Sequence, residues 1–194
     1  MAADPVIVSS LVDQATKLTG PQVRKFFQAS FQKTKNRMIV EFLNHPVTLE
    51  LKQGVGATNI RGTLGGVTNL YSFIGFEEGS DPTQAIEDIL QQTNFQYLGP
   101  RGRSINFAYD LPSAEEIFSV TPMPWAPGRS WAKGIETGIS GLGYYLKVSR
   151  DSSRSGLGIQ SPRKLRRKGT RFKNTSYISA LIKKYRKEFE NLQL

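Results

Sequence analysis

The stretch HPVTLELKQGVGATNIRGTLGGVTNLYSFIGF, His45 to Phe76, decides the fold, because it is apolar at both ends and glycine-rich in the middle. At one end Val47, Leu49 and Leu51 alternate with Thr48, Glu50 and Lys52. Alternation of that kind places apolar side chains on one face of a half-buried strand. At the other end Leu70, Tyr71, Phe73, Ile74 and Phe76 form a denser apolar run that reads as a second strand. The glycine-rich residues between them, Gly54 to Gly66, read as a hairpin or exposed loop that orders on docking and meets its entropy cost at that moment.

Upstream, the period is helical. Val23, Phe27, Phe31, Met38 and Phe42 fall on one face, with Phe26, Ile39 and Leu43 widening it. This predicts one long amphipathic helix ending at His45, because a residue before proline disfavours the α region. Residues Val6 to Leu18 read as a short helix. Downstream, Asp81-Pro82 opens a short helix that turns Ile86, Ile89 and Leu90 inward. Phe95 to Leu98 and Ser104 to Tyr109 read as strands, and Pro112 to Val120 as a short helix. Thr175 to Leu192 is amphipathic, with Ile178, Leu181, Ile182, Tyr185 and Phe189 along one face. The expected class is α+β, a mainly antiparallel sheet packed with a long N-terminal helix, an extended arm and a C-terminal helix. The expected organisation is a core over 1–120, an extended interface segment over 121–173 and a helix over 174–194.

PMPWAPGRSWAKGIETGISGLGYYL, Pro122 to Leu146, holds both tryptophans beside irregular, glycine-rich backbone. It reads as neither strand nor ordinary helix. Aromatic anchors next to small residues are typical of tightly packed interfaces. Trp125 and Trp131 are the candidate anchors, and Gly134, Gly138 and Gly141 permit close approach. Packing within the chain's own core is the competing reading.

Charge is uneven. Residues 1–100 carry 8 Lys/Arg and 9 Asp/Glu, a net of −1, whereas residues 101–194 carry 18 and 7, a net of +11. Seven basic residues fall between Arg163 and Lys173, and Arg163, Lys164, Arg166, Arg167 and Lys168 form the candidate charged contact. Such a cluster suits an acidic protein neighbour or nearby nucleic acid. It lacks the interleaved aromatics on which single-stranded bases stack.

Chemistry finds little purchase. There is no cysteine and a single histidine, His45, so disulfides and thiolate metal sites are excluded and a zinc centre is short of ligands. His45, next to Pro46 at an expected helix end, reads as a cap. The glycine clusters lack the dinucleotide and P-loop signatures. The pairs Glu77-Glu78 and Glu115-Glu116, and Asp81 with Glu87, read as solvated surface. No catalytic residue, cofactor or metal is expected. No apolar run reaches the length of a membrane span, and the first residues lack a secretory pattern.

Two phrases, FLNHPVTLELKQGVGATNIRGTLGGVTNLYSFIGFEEGSDP (Phe42 to Pro82) and PWAPGRSWAKGIETGISGLGYYL…SRSGLGIQ (Pro124 to Gln160), resemble structural proteins of tailed-bacteriophage virions of the neck and tail-completion kind. In the first, His45-Pro46-Val47-Thr48 and Gly62-Thr63-Leu64 stand where that pattern passes from a long helix into a sheet. The resemblance implies a non-enzymatic ring subunit in the virion. Its partners would be its own copies, the portal or adaptor, and tail or sheath proteins, with packaged DNA passing close by. A nucleic-acid-binding protein acting through its basic arm is the alternative.

Overall fold

The computed structural model describes residues 6–11, 20–58, 69–101, 104–138, 146–147, 159–160 and 174–192. The protein is α+β, and its chain weaves two units from separate stretches. One unit takes residues 1–42, 87–114 and 179–194; the other takes 43–86 and 115–178. The boundary expected at residue 120 coincides with neither, because the sheet strands around residue 100 belong with the long helix.

In the first unit, α1 (Gly20–Leu43) buries Val23, Phe27, Phe31, Thr34, Met38 and Phe42. These steps of three and four residues keep one face inward. Phe26 falls off that face and is 50% exposed. Three antiparallel strands, β1 (Val6–Leu11), β2 (Asn94–Arg101) and β3 (Ser104–Asp110), form a sheet in the order β1-β3-β2. Val6 to Leu11 was expected to be helical. The β-branched start Val6-Ile7-Val8 instead pairs along β3, with Val6 opposite Tyr109 and Leu11 opposite Ser104. Between β2 and β3 the register skips Leu98, a bulge next to Gly99 at φ 92°.

Aromatic rings join helix to sheet. Phe27 stacks on Phe107 with centroids 3.7 Å apart, and Phe95 lies 5.1 Å from Phe27 and 5.5 Å from Phe31. The last helix, α7 (Ile178–Glu190), adds Phe189, whose ring lies 4.9 Å from Phe31 and 5.3 Å from Tyr109. Burial, then the Glu190 carboxylate, raise the Tyr109 phenol to about 12, against Arg186.

The second unit corrects the reading of His45 to Phe76. Both expected strands are helices. α2 (Pro46–Lys52) buries Val47, Thr48, Glu50 and Leu51 and leaves Leu49 37% exposed. The alternation of Val47, Leu49 and Leu51 was therefore incidental, and the inward face follows helical steps. Pro46 opens the helix, and the His45 side chain accepts from Val47 N at 3.3 Å, so this histidine caps a helix start, not the preceding helix's end. α3 (Leu70–Ile74) is bracketed by Asn69, whose Oδ1 accepts from Ser72 N at 2.8 Å, and by Gly75 in the left-handed region at φ 85°. A side-chain N-cap and a left-handed glycine six residues apart define one short helix. Only the residues around Gly99 and Asn106 keep the expected strand character.

α4 (Gln84–Gln91) and α5 (Ala114–Ser119) form where predicted. Ile86 and Leu90 are fully buried, while Ile89 is half-buried. Asp81 leads into α4. Its Oδ1 accepts from Thr83 N at 2.8 Å and Thr83 Oγ1 at 2.6 Å, and its Oδ2 faces Lys52 Nζ at 3.3 Å. Burial pushes the Asp81 carboxyl up, but the two Thr83 hydrogen bonds and Lys52 outweigh it and hold the group below its ordinary value. A depressed folded-state pKa stabilises the fold above the unfolded value, a contribution lost as pH falls through the folded one. An NMR pH titration is therefore expected to place Asp81's midpoint below 3.8. Thr83→Val should raise that midpoint; an unchanged midpoint would contradict the assigned cause.

Candidate functional site

Over Pro122 to Thr137 the tryptophan- and glycine-rich stretch is regular, contrary to its reading as neither helix nor strand. A hairpin, β4 (Pro122–Met123) and β5 (Ala126–Ser130), leads into α6 (Trp131–Thr137). Thr121 locks the base of the hairpin. Its Oγ1 bonds the Ile117 and Phe118 carbonyls, both at 3.1 Å, and the Ser130 hydroxyl at 2.7 Å, while its carbonyl accepts from Trp131 N at 2.9 Å. Ser130 Oγ in turn accepts from Lys133 N at 3.1 Å and caps α6.

Trp131 is 1% exposed, with the Phe76 ring edge-on at 5.8 Å and Tyr177 at 6.4 Å. A side chain so enclosed presents nothing to a neighbour. The expectation that Trp131 anchors a subunit interface is corrected: it fills the core of its own unit, as does Gly134 beside it. Trp125 is half-buried, and its Nε1–H donates to the Ile74 carbonyl at 2.8 Å. Of the two tryptophans, only Trp125 keeps some exposed surface.

Gly138 ends α6 at φ 95° and ψ 134°, a conformation that side-chain-bearing residues avoid. A Cβ there would lie 3.3 Å from Asn174 Oδ1. One residue on, Thr175 N donates to the Ile135 carbonyl at 3.0 Å. Gly138 therefore does permit close approach, of the chain to itself. The two ends of the 139–173 span thus meet against the same turn of α6. Within that span the structure describes one short antiparallel pair, β6 (Leu146–Lys147) with β7 (Ile159–Gln160). Gly141 and the basic group Arg163, Lys164, Arg166, Arg167 and Lys168 lie outside the described residues. Gly138→Ala should cost about 1–3 kcal/mol through backbone strain and contact with Asn174. Thermal unfolding would show this as a lower midpoint, and an unchanged midpoint would mean that the two ends are not held as described.

The glycine-rich stretch is tied in the same way. Gly54–Gly56 form a single 3-10 turn, and residues 59–66 lie outside the described residues. Asn69 Nδ2 donates to the Val55 carbonyl at 3.0 Å and the Ala57 carbonyl at 3.1 Å. Leu70 N donates to Glu50 Oε1 at 2.7 Å, inside the core. Sequence reading missed Asn69 and Glu50. The available signal was the asparagine directly before an apolar run, a helix-start pattern.

In the first unit, an open furrow runs between α1 and α7. Two joined hollows of about 800 and 420 Å³ share Lys33, Arg37 and Glu188 as lining. Arg37 pairs with Glu188 at 2.7 Å, and Lys184 with Glu41 at 2.5 Å. The Tyr185 hydroxyl donates to Glu41 Oε2 at 2.7 Å. Burial first, and that hydrogen bond second, hold the Tyr185 phenol well above its ordinary range.

Among the described residues there is no group of three or more His, Asp or Glu placed to hold a metal ion, and no helix is long and apolar enough to cross a membrane. No protein-family model, curated protein or solved structure matches the chain.

Proposed function

We propose that the protein is a structural subunit of a tailed-bacteriophage neck or tail-completion ring, joining head to tail through contacts between subunits. The observation that carries this reading is the closure at Gly138 and Asn174. The chain's densest positive charge, Arg163 to Lys173, falls in sequence between those two positions. A charged span whose two ends are held together on a folded unit suits a subunit that contacts its neighbours. The likeness of Phe42–Pro82 and Pro124–Gln160 to neck-protein phrases supports the same reading. A ring needs two different surfaces per subunit that close by rotation. Trp125, which is only half-buried, would contribute to one such surface, and the charges of Arg163 to Lys168 would add to it.

The test removes residues 139–173 and bridges Gly138 to Asn174 with a short glycine linker. Because the ends already meet, thermal unfolding is expected to change little, while ring formation or head-to-tail joining, viewed by negative-stain imaging, is lost. Unimpaired assembly by the shortened chain would overturn the proposal. The alternative, nucleic-acid binding through the basic segment, makes a separate forecast: sub-micromolar binding to random duplex DNA that weakens steeply with salt. The subunit reading expects weak binding.

A further inference from the structure

The furrow between α1 and α7 has unspent charge. Lys184 and Arg37 are matched by Glu41 and Glu188, but Lys33 and Lys187 are exposed with no carboxylate in ion-pair reach among the described residues. Val40, 55% exposed, adds an apolar patch at the same furrow. The second unit carries the complement. Glu77 and Glu78 are exposed at the tip of a turn, and neither has a cation in reach among the described residues. The turn is stiff. Ser80 N donates to the Glu77 carbonyl at 3.1 Å, Gly79 takes φ 83°, and the buried Tyr71 hydroxyl bonds the Glu77 and Ser80 carbonyls from beneath. A knuckle already fixed in shape loses little entropy on docking.

We infer that the α1/α7 furrow receives the Glu77–Asp81 turn of a second copy of this chain. Lys33 and Lys187 meet Glu77 and Glu78, in a contact between unlike surfaces that repeats from copy to copy. Two separate cations match two adjacent carboxylates. A nucleic-acid backbone needs a longer unbroken run of positive charge, and Glu41 and Glu188 interrupt one here. Each copy then has one furrow and one knuckle, which is the requirement of a head-to-tail interface. The inference rests on the subunit reading for its occupant, and it specifies which surfaces touch.

Sedimentation velocity at low and high salt tests it. The wild-type chain is expected to self-associate at low salt and to dissociate as salt screens the contact. Lys33→Glu with Lys187→Glu, or Glu77→Lys with Glu78→Lys, should each weaken association roughly tenfold or more, since like charges then face each other. The fourfold exchange should restore it. The chain lacks cysteine, so Lys33→Cys and Glu78→Cys provide unique labels. A short bismaleimide is expected to join these two variants when mixed, and to join neither with itself. Association unaffected by the exchanges, failure of the fourfold exchange to restore it, or a wild-type chain monomeric at every concentration would overturn the inference. Charge-sensitive association into open filaments would retain the contact and remove the ring; closed rings indifferent to the exchanges would do the reverse.

Discussion

Trp131→Ala is expected to destabilise the isolated chain severely, by about 3–5 kcal/mol, the usual cost of truncating a buried large aromatic. For a chain of this size, that corresponds to a fall in thermal midpoint of roughly 6–20 °C. The physical reason is the void left among Phe76, Tyr177 and their neighbours, which a hairpin locked by Thr121 cannot collapse to fill. Differential scanning calorimetry of the free chain measures it. An interface role forecasts the opposite pattern, an unchanged monomer and impaired assembly. Trp125→Ala serves as the contrast, because that ring is only half-buried and its loss opens a smaller void. Equal and small losses for both variants would show Trp131 to be less enclosed than described.

Asn69→Ala carries the second large effect. One side chain makes three hydrogen bonds there: it caps α3 through Ser72 N and binds the carbonyls of Val55 and Ala57. Loss of the cap alone costs about 0.5–2 kcal/mol. Leaving part-buried carbonyls without their donor costs about 1–3 kcal/mol more. Urea unfolding should register the sum, a loss of about 1.5–5 kcal/mol. Limited proteolysis should also find residues 58–68 cut sooner, because the two ends of that stretch are no longer tied. Asn69→Ser separates the roles: it keeps a capping oxygen and removes the Nδ2 donor without setting a charge against the two carbonyls, so its loss should fall between alanine and wild type. If Asn69→Ser were as damaging as Asn69→Ala, the cap would contribute nothing.

The long helix, the strands at Phe95 to Leu98 and Ser104 to Tyr109, and α7 were legible because their periods extend over several turns or pairings, and the shorter α4 and α5 because capping residue types precede them. Where the reading failed, segments were short. The short, mainly apolar run Leu70–Ile74 satisfies a strand and a buried helix equally, and only Asn69 and Gly75 break the tie. Val47, Leu49 and Leu51 alternated by chance, and Glu50 went inward because the first amide of α3 awaits it in the core. Val6 to Leu11 became a strand through pairing with β3, a partner nearly a hundred residues away. Trp131 was misplaced for a similar reason. Composition alone does not distinguish an aromatic that seals a core from one that meets a neighbour. Tyr71's hold on the Glu77 turn and the meeting of Gly138 with Asn174 are tertiary facts with no local signature.

The meeting of Gly138 with Asn174 also fixes the gap that any connection between them must close. For a flexible connection between ends held that close, length is cheap, each doubling adding only about 0.6 kcal/mol. A fluorescent domain spliced between the two positions is therefore expected to leave the thermal midpoint of the remainder little changed.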